Sequence, residues 1–213
     1  MALTNPKLNG NPENLLGPKI PEPNVPTFSP KRERLDVMLD IESLSTAHNG
    51  AVIQIAAVPF YIEGPQNPFG GGANLDSFNV SISPKSCVEA GLDINADTMK
   101  WWFGQETAVQ SEVLSNAISK GHNLTFALWI FSRFLANLEK LAEKVFIWGY
   151  PATSDMTWLQ QAYLAAKMPY PVAYNRTRCL GTIADLYWEK TGKKLSEETT
   201  RKITHDALED CQA

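Results

Sequence analysis

From Leu35 to Ile41 the chain alternates, with Leu35, Val37, Leu39 and Ile41 on one face and Asp36, Met38 and Asp40 on the other. A period of two predicts a strand with one side buried. A second apolar run, Ala51 to Ile62, follows a turn containing His48, Asn49 and Gly50, and a third segment sets Phe78, Val80 and Ile82 on one face. Three such runs in succession predict an antiparallel meander. The period then lengthens to three and four residues at Leu124, Leu128, Phe131, Leu135, Leu138 and Leu141, the stripe of an amphipathic helix. A strand is predicted at Val145 to Trp148, and helices around Trp158 to Ala166 and Leu180 to Trp188 enclose a β-like stretch at Val172 to Tyr174. The whole reads as an α/β fold, a mixed sheet that starts as a meander, continues with parallel strands and is flanked by helices.

Composition sets the limits of that domain. Seven of the fourteen prolines lie in residues 1–30, interleaved with Asn, Gly and Lys. A segment with so little apolar surface to bury is expected to stay extended or disordered, so residues 1–34 read as an arm and residues 35–213 as the folded domain. Lys31, Arg32 and Arg34 mark the arm's inner end; a solvated spacer suits its composition better than a protein-binding segment, although such a partner, like a homodimer, stays open. The stretch GPQNPFGGGANLD lacks the Lys-Ser/Thr ending of a phosphate loop and reads as a hairpin loop. Cys87, Cys179 and Cys211 are far apart and form no CxxC pair, so ordinary thiols are expected. Neither a run of about eighteen apolar residues nor a secretory leader pattern occurs, which makes a cytoplasmic protein without a membrane span the expectation. A net charge of -4 argues against stoichiometric coating of nucleic acid but leaves room for an enzyme that grips a strand end.

The candidate chemistry lies in acids. Asp40 and Glu42 sit at i and i+2, so both carboxylates project from one face of the first strand. A lone DxE is usually a solvated strand face. Between Leu39 and Ile41, however, the pair is set in apolar surroundings, where two like charges need a cation, and Mg²⁺ prefers carboxylate oxygens. Asp155 follows the strand VFIWG at the start of a helical pattern; alone it reads as an N-cap, a role Ser154 could share. His205 lies five residues before Asp210 in THDALEDCQA, read as a helix opened by Thr204, and the sequence does not say which of Asp206, Glu209 and Asp210 points inward. His48 and His122, in turn-like settings, read as surface residues.

In that order, DxE on an opening strand, Asp after a later strand and HxxxxD at the end, the chain resembles the DnaQ-like, DEDDh-type 3′-to-5′ exonuclease superfamily of ribonuclease H-like fold. The likeness runs from about Leu35 to Ala213. It is nearest to a bacterial and phage branch of exodeoxyribonuclease VIII-like enzymes and 3′-to-5′ exoribonucleases, where an aromatic pair like Trp101 and Trp102 commonly follows the opening sheet.

The resemblance implies two Mg²⁺ ions, replaceable by Mn²⁺. Asp40 would be shared between them, Glu42 and Asp210 would complete one set of ligands, and Asp155 would serve the other. His205 would be the general base, a role suited to a side chain that titrates near neutral pH. Ser43, Leu44, Trp101 and Trp102 are the candidate contacts to a terminal nucleotide, with one tryptophan of the pair expected in the core because adjacent helical residues diverge. The implied activity is hydrolysis of single-stranded DNA or RNA 3′ ends to nucleoside 5′-monophosphates.

The chain departs from the family in three places. Ser43 stands where relatives usually carry Thr, and Ser154 where they carry an aromatic residue, yet no other acid lies between Val145 and Thr182 to rival Asp155. The chain also stops three residues after Asp210, and a truncated or naturally short end is expected to loosen the arm presenting that acid. Two other readings stand beside the enzyme. One is a non-catalytic nucleic-acid or protein-binding module on the same fold. The other is a phosphatase with a carboxylate nucleophile, which would normally show DxD and would trap a covalent intermediate.

Overall fold

A computed structural model describes residues 32–62, 75–195 and 204–212. Five strands form one sheet in the order β3-β2-β1-β4-β5: β1 (Arg32–Ser43), β2 (Val52–Phe60), β3 (Phe78–Ser81), β4 (Ala142–Gly149) and β5 (Thr177–Cys179). The first three pair antiparallel, and β4 and β5 continue parallel to β1. This is the mixed sheet that the alternation predicts. Most of the GPQNPFGGGANLD loop and all but the end of the arm lie outside the described residues.

The alternation of β1 divides the molecule into two sides. Leu35, Val37, Leu39 and Ile41 are at most 4% exposed and pack toward α5 (Leu124–Leu141) and α6 (Ala152–Ala165). Asn123 caps α5, its side chain accepting from the Thr125 amide at 3.0 Å, and Leu124, Leu128, Phe131, Leu135 and Leu138 form its buried stripe. Truncating Phe131 to Ala there would cost about 3–5 kcal/mol. Leu141 does not complete the stripe; it is 46% exposed because the helix ends there and the chain turns into β4.

On the other side, the short helix α8 (Ala207–Cys211) lies over β1 and β2, with Ala207 and Cys211 against Ala56 and Val58. That second cover explains why β2 is apolar on both faces. The predicted strand at Val172 to Tyr174 is absent. Val172 is a single inward contact and Tyr174 is 96% exposed, while the parallel edge strand is Thr177–Cys179, too short and too half-buried to give a period.

The remaining helices position the site. Between β3 and α5 come α1 (Pro84–Glu89), α2 (Ala96–Phe103) and α3 (Thr107–Val109), which runs through a π-helical turn into α4 (Asn116–Lys120). Asn95 caps α2 by accepting from the Asp97 and Thr98 amides. After β5 comes α7 (Leu180–Thr191), closed by Gly192 in the left-handed conformation at φ 72°. His48 and His122 are exposed, as expected. Among the described residues no helix is long and apolar enough to cross a membrane.

Candidate active site

The face of β1 opposite the core carries Asp36, Met38, Asp40 and Glu42, and Asp40 and Glu42 stand beside Ala56 and Gln54 of β2. The register shifts just after Glu42, so the chain turns away at Ser43 and leaves the pair at the strand's end. β4 ends beside them at Gly149, and the following turn lays Asp155 in the first turn of α6, only 4% exposed. A Cβ at Gly149 would lie 2.8 Å from Asp155 Oδ2, so glycine is what lets this carboxylate approach the strand end. Asp155 is therefore not a helix cap. Pro151 occupies the N-cap position without a side-chain bond, and Ser154 also lies inside the helix.

The closing segment differs from the expected helix opened by Thr204. Asp206 is the N-cap, accepting from the amides of Leu208 and Glu209 at 3.0 and 3.2 Å, and His205 precedes the helix at φ 60°. A histidine in that left-handed region needs support. Asp210 reaches back to supply it, its Oδ2 accepting from the His205 amide at 3.0 Å and its Oδ1 from the Thr204 amide at 2.8 Å. The spacing of five residues thus closes a loop that turns the imidazole toward the acids. Ligand atoms of Glu42, His205 and Asp210 all fall within 4.8 Å of one another. Of the three C-terminal acids, Glu209 is exposed, whereas Asp206 and Asp210 are half-buried and face Asp40.

The cluster is electrostatically unbalanced by itself. Burial, then the charges of Asp155, Asp210 and Asp206, push Asp40 up to about 8. Burial and the same neighbours, Asp40 foremost, also raise Glu42 well above the carboxylate range. Burial raises Asp155 to about 7, offset in part by backbone amides of Tyr150 and Ile41. Asp155 Oδ2 is buried with no hydrogen-bond partner. An unsatisfied buried carboxylate oxygen beside like charges is costly, and hard divalent cations such as Mg²⁺ suit such an oxygen-rich set. The residues present fit a metal centre.

Beside the acids opens a cleft of about 510 Å³ lined by Glu42, Ser43, Thr46, Asn95, Asp97, Thr98 and three tryptophans, Trp101, Trp102 and Trp158. The expected split of the aromatic pair holds. Trp102 is 1% exposed and donates Nε1 to the Ser43 carbonyl at 2.9 Å, while Trp101 is 43% exposed. Ser43 lines the cleft, but Leu44 is buried and is not among the lining residues.

Two contributors, Trp158 and Gln54, escaped the sequence reading, and a third, Asp206, was left open by it. Trp158 lines the cleft and donates Nε1 to the Ala47 carbonyl at 2.7 Å, and Asp206 adds a further carboxylate to the cluster. Gln54 tethers the closing segment: its Oε1 accepts from the Ala207 amide at 3.1 Å and its Nε2 donates to Asp206 Oδ2 at 3.3 Å. Gln54 left a signal, a single polar side chain in the run VIQIAAV.

Comparison with known proteins gives the same fold. Cell-death related nuclease 4 (CRN-4) is similar at 17% identity and a TM-score of 0.60, over 84% of this chain and 60% of that one. The nuclease domain of 3'hExo, a DEDDh family member bound to rAMP, is similar at 10% identity and a TM-score of 0.55, over 84% of this chain and 86% of that one. A zinc-bound complex of E. coli ExoI with single-stranded DNA gives 14% identity and a TM-score of 0.56, over 85% of this chain and 38% of that one. The chain thus spans less than two thirds of the CRN-4 and ExoI chains. No curated protein matches it. The model of the 3'-5' exoribonuclease Rv2179c-like domain matches residues 35–213, so this chain belongs to that exoribonuclease family, with the ribonuclease H-like fold of the DEDDh exonucleases.

Proposed function

We propose that the chain is a divalent-metal-dependent 3′-to-5′ exonuclease that hydrolyses single-stranded ends of RNA or DNA to nucleoside 5′-monophosphates. The observation that carries this reading is the convergence of Asp40, Glu42, Asp155 and Asp210 with His205 at the end of β1, their charge unbalanced and one buried oxygen unsatisfied. Asp40, Glu42, Asp155 and Asp210 would hold the metal, two Mg²⁺ ions on this reading, with Mn²⁺ able to replace them. When bound, such ions offset the charge that builds on phosphate and leaving oxygen and lower the pKa of water.

The chain's own residues do the rest. The imidazole of His205, held by the Asp210-anchored loop, takes the proton from water as its oxygen bonds to phosphorus. The bond from phosphorus to the 3′ oxygen of the preceding nucleotide breaks, and the departing nucleotide keeps its 5′ phosphate. The cleft beside Glu42 has room for one nucleoside, with Trp101 as the exposed aromatic face and Ser43 at its floor. Asp97, Asn95 and Thr98 offer oxygen atoms that can accept from sugar hydroxyls.

The test is product identity. Chromatography of a digest of unlabelled oligonucleotide should yield only nucleoside 5′-monophosphates with Mg²⁺ and none with EDTA. Nucleoside 3′-monophosphates, or products that persist in EDTA, would overturn the reading.

A further inference from the structure

Below the acids, the sheet face that carries Asp40 is basic. In register across β1, β4 and β5, the charged positions on that stretch are Arg32, Arg34, Lys144 and Arg178, against the single carboxylate of Asp36. Arg176, just before β5, joins them. In a chain of net charge -4 such a concentration of cations is not what composition alone would give.

The guanidiniums are also organised. Arg34, Arg176 and Arg178 lie over the ring of Phe146, with Cζ 4.4, 5.1 and 4.1 Å from its centroid. Arg34 grips Asp36 through two bonds of 2.7 Å, and Trp148 Nε1 donates to the same carboxylate at 2.6 Å. Arg178 is further fixed by donating to the carbonyls of Asn175 and Thr177. Arginines stacked on an aromatic ring in fixed orientations have lost side-chain freedom in advance, which favours binding of phosphate by their outer edges.

We infer that this platform binds the backbone phosphates of the single strand upstream of the 3′ end held at the acids. The inference rests on the exonuclease reading. Arg178 stands two strands and two residues from Asp40 and Arg34 six residues from it, which is about 12 and about 20 Å of backbone separation at the usual sheet spacings. At about 3.4 Å per stacked nucleotide that is roughly three to six nucleotides from the scissile bond. A trinucleotide would not engage the platform; a long strand would, and its binding would be salt-dependent.

The experiment compares the full chain with the Lys144→Gln/Arg178→Gln variant on a trinucleotide and on a single strand several times longer. Hydrolysis of the trinucleotide should be unchanged and KM for the long strand should rise several-fold. Fluorescence anisotropy in EDTA should show the slope of log Kd against log salt falling by about 0.7 for each phosphate no longer neutralised. Equal effects on both lengths, or none on either, would overturn the platform. If the parent chain hydrolyses neither substrate, the exonuclease reading fails, and the anisotropy still decides whether the platform binds. Because Arg178 also bonds backbone carbonyls, the exposed pair Arg32→Gln/Lys144→Gln repeats the test without touching β5.

Discussion

The Trp101 ring stands edge-on to the imidazole of His205, centroids 4.8 Å apart and planes at 89°. Trp101 in turn meets Trp102 at 5.2 Å, and Trp102 is anchored to Ser43, so the aromatic pair links the proposed base to the strand that carries Asp40 and Glu42. An edge-on aromatic contact contributes about 0.5–1.5 kcal/mol. Trp101→Ala should therefore slow kcat by roughly 2- to 10-fold through a misplaced imidazole, and also raise KM by removing a cleft wall. Trp101→Phe should restore most of kcat. The kinetics of both variants decide: unchanged kcat in Trp101→Ala would leave Trp101 as a cleft wall only.

Stability should fall as pH rises in the absence of metal. Asp40 and Asp155 are pushed up to about 8 and about 7, and Glu42 is raised as well, so the folded state binds more protons than the unfolded chain, where such groups titrate near 4. Between those limits the slope of unfolding free energy with pH is negative. Tm in EDTA should be higher at pH 5 than at pH 8, Mg²⁺ or Mn²⁺ should raise Tm at pH 8 most, and Asp40→Asn should flatten the profile. A Tm in EDTA that rises between those pH values would contradict the electrostatic picture.

Gln54→Ala should unfasten α8. It removes the acceptor for the Ala207 amide and a donor to Asp206, both at a buried position 4% exposed, at a cost of about 1–3 kcal/mol. Urea unfolding measures that cost, and kcat should fall with it because His205 and Asp210 ride on the same segment. Normal activity in a destabilised variant would separate the tether from the site.

Gly149→Ala puts a methyl group 2.8 Å from Asp155 Oδ2 and 2.9 Å from the Ala152 Cα, closer than real Cβ contacts. Asp155 or the start of α6 must shift. Activity should drop far more than stability, which thermal melts and initial rates check together; full activity would mean that Asp155 is not held in the position the metal centre requires.

The periods of β1 and α5 were legible in the sequence because each sets its large apolar residues on one face, and β2 was legible as a continuous apolar run because α8 covers its second face. β5 was not, since a three-residue edge strand half-buried throughout leaves no period, and Val172 imitated one. The acids Asp40, Glu42, Asp155 and Asp210 were legible as residues, but their local roles were not. Asp155 as a cap and Thr204 as a helix start both fail because those roles are decided by side-chain reach: Asp210 folds back onto the His205 turn, and Asp206 takes the cap. Gln54 and Trp158 act through contacts more than a hundred residues away in sequence, at separations of 153 and 111, which no local pattern encodes.

Metal-dependent hydrolysis from the 3′ end is tested by a gel time course with matched 5′-labelled RNA and DNA single strands, in Mg²⁺, Mn²⁺ or EDTA, for the native chain and Asp40→Ala. The predicted result is a metal-dependent ladder shortening from the 3′ end, absent in EDTA and in the variant. Shortening that survives in Asp40→Ala, or intact strands with the native chain in both metals, would contradict the proposed metal centre and its chemistry.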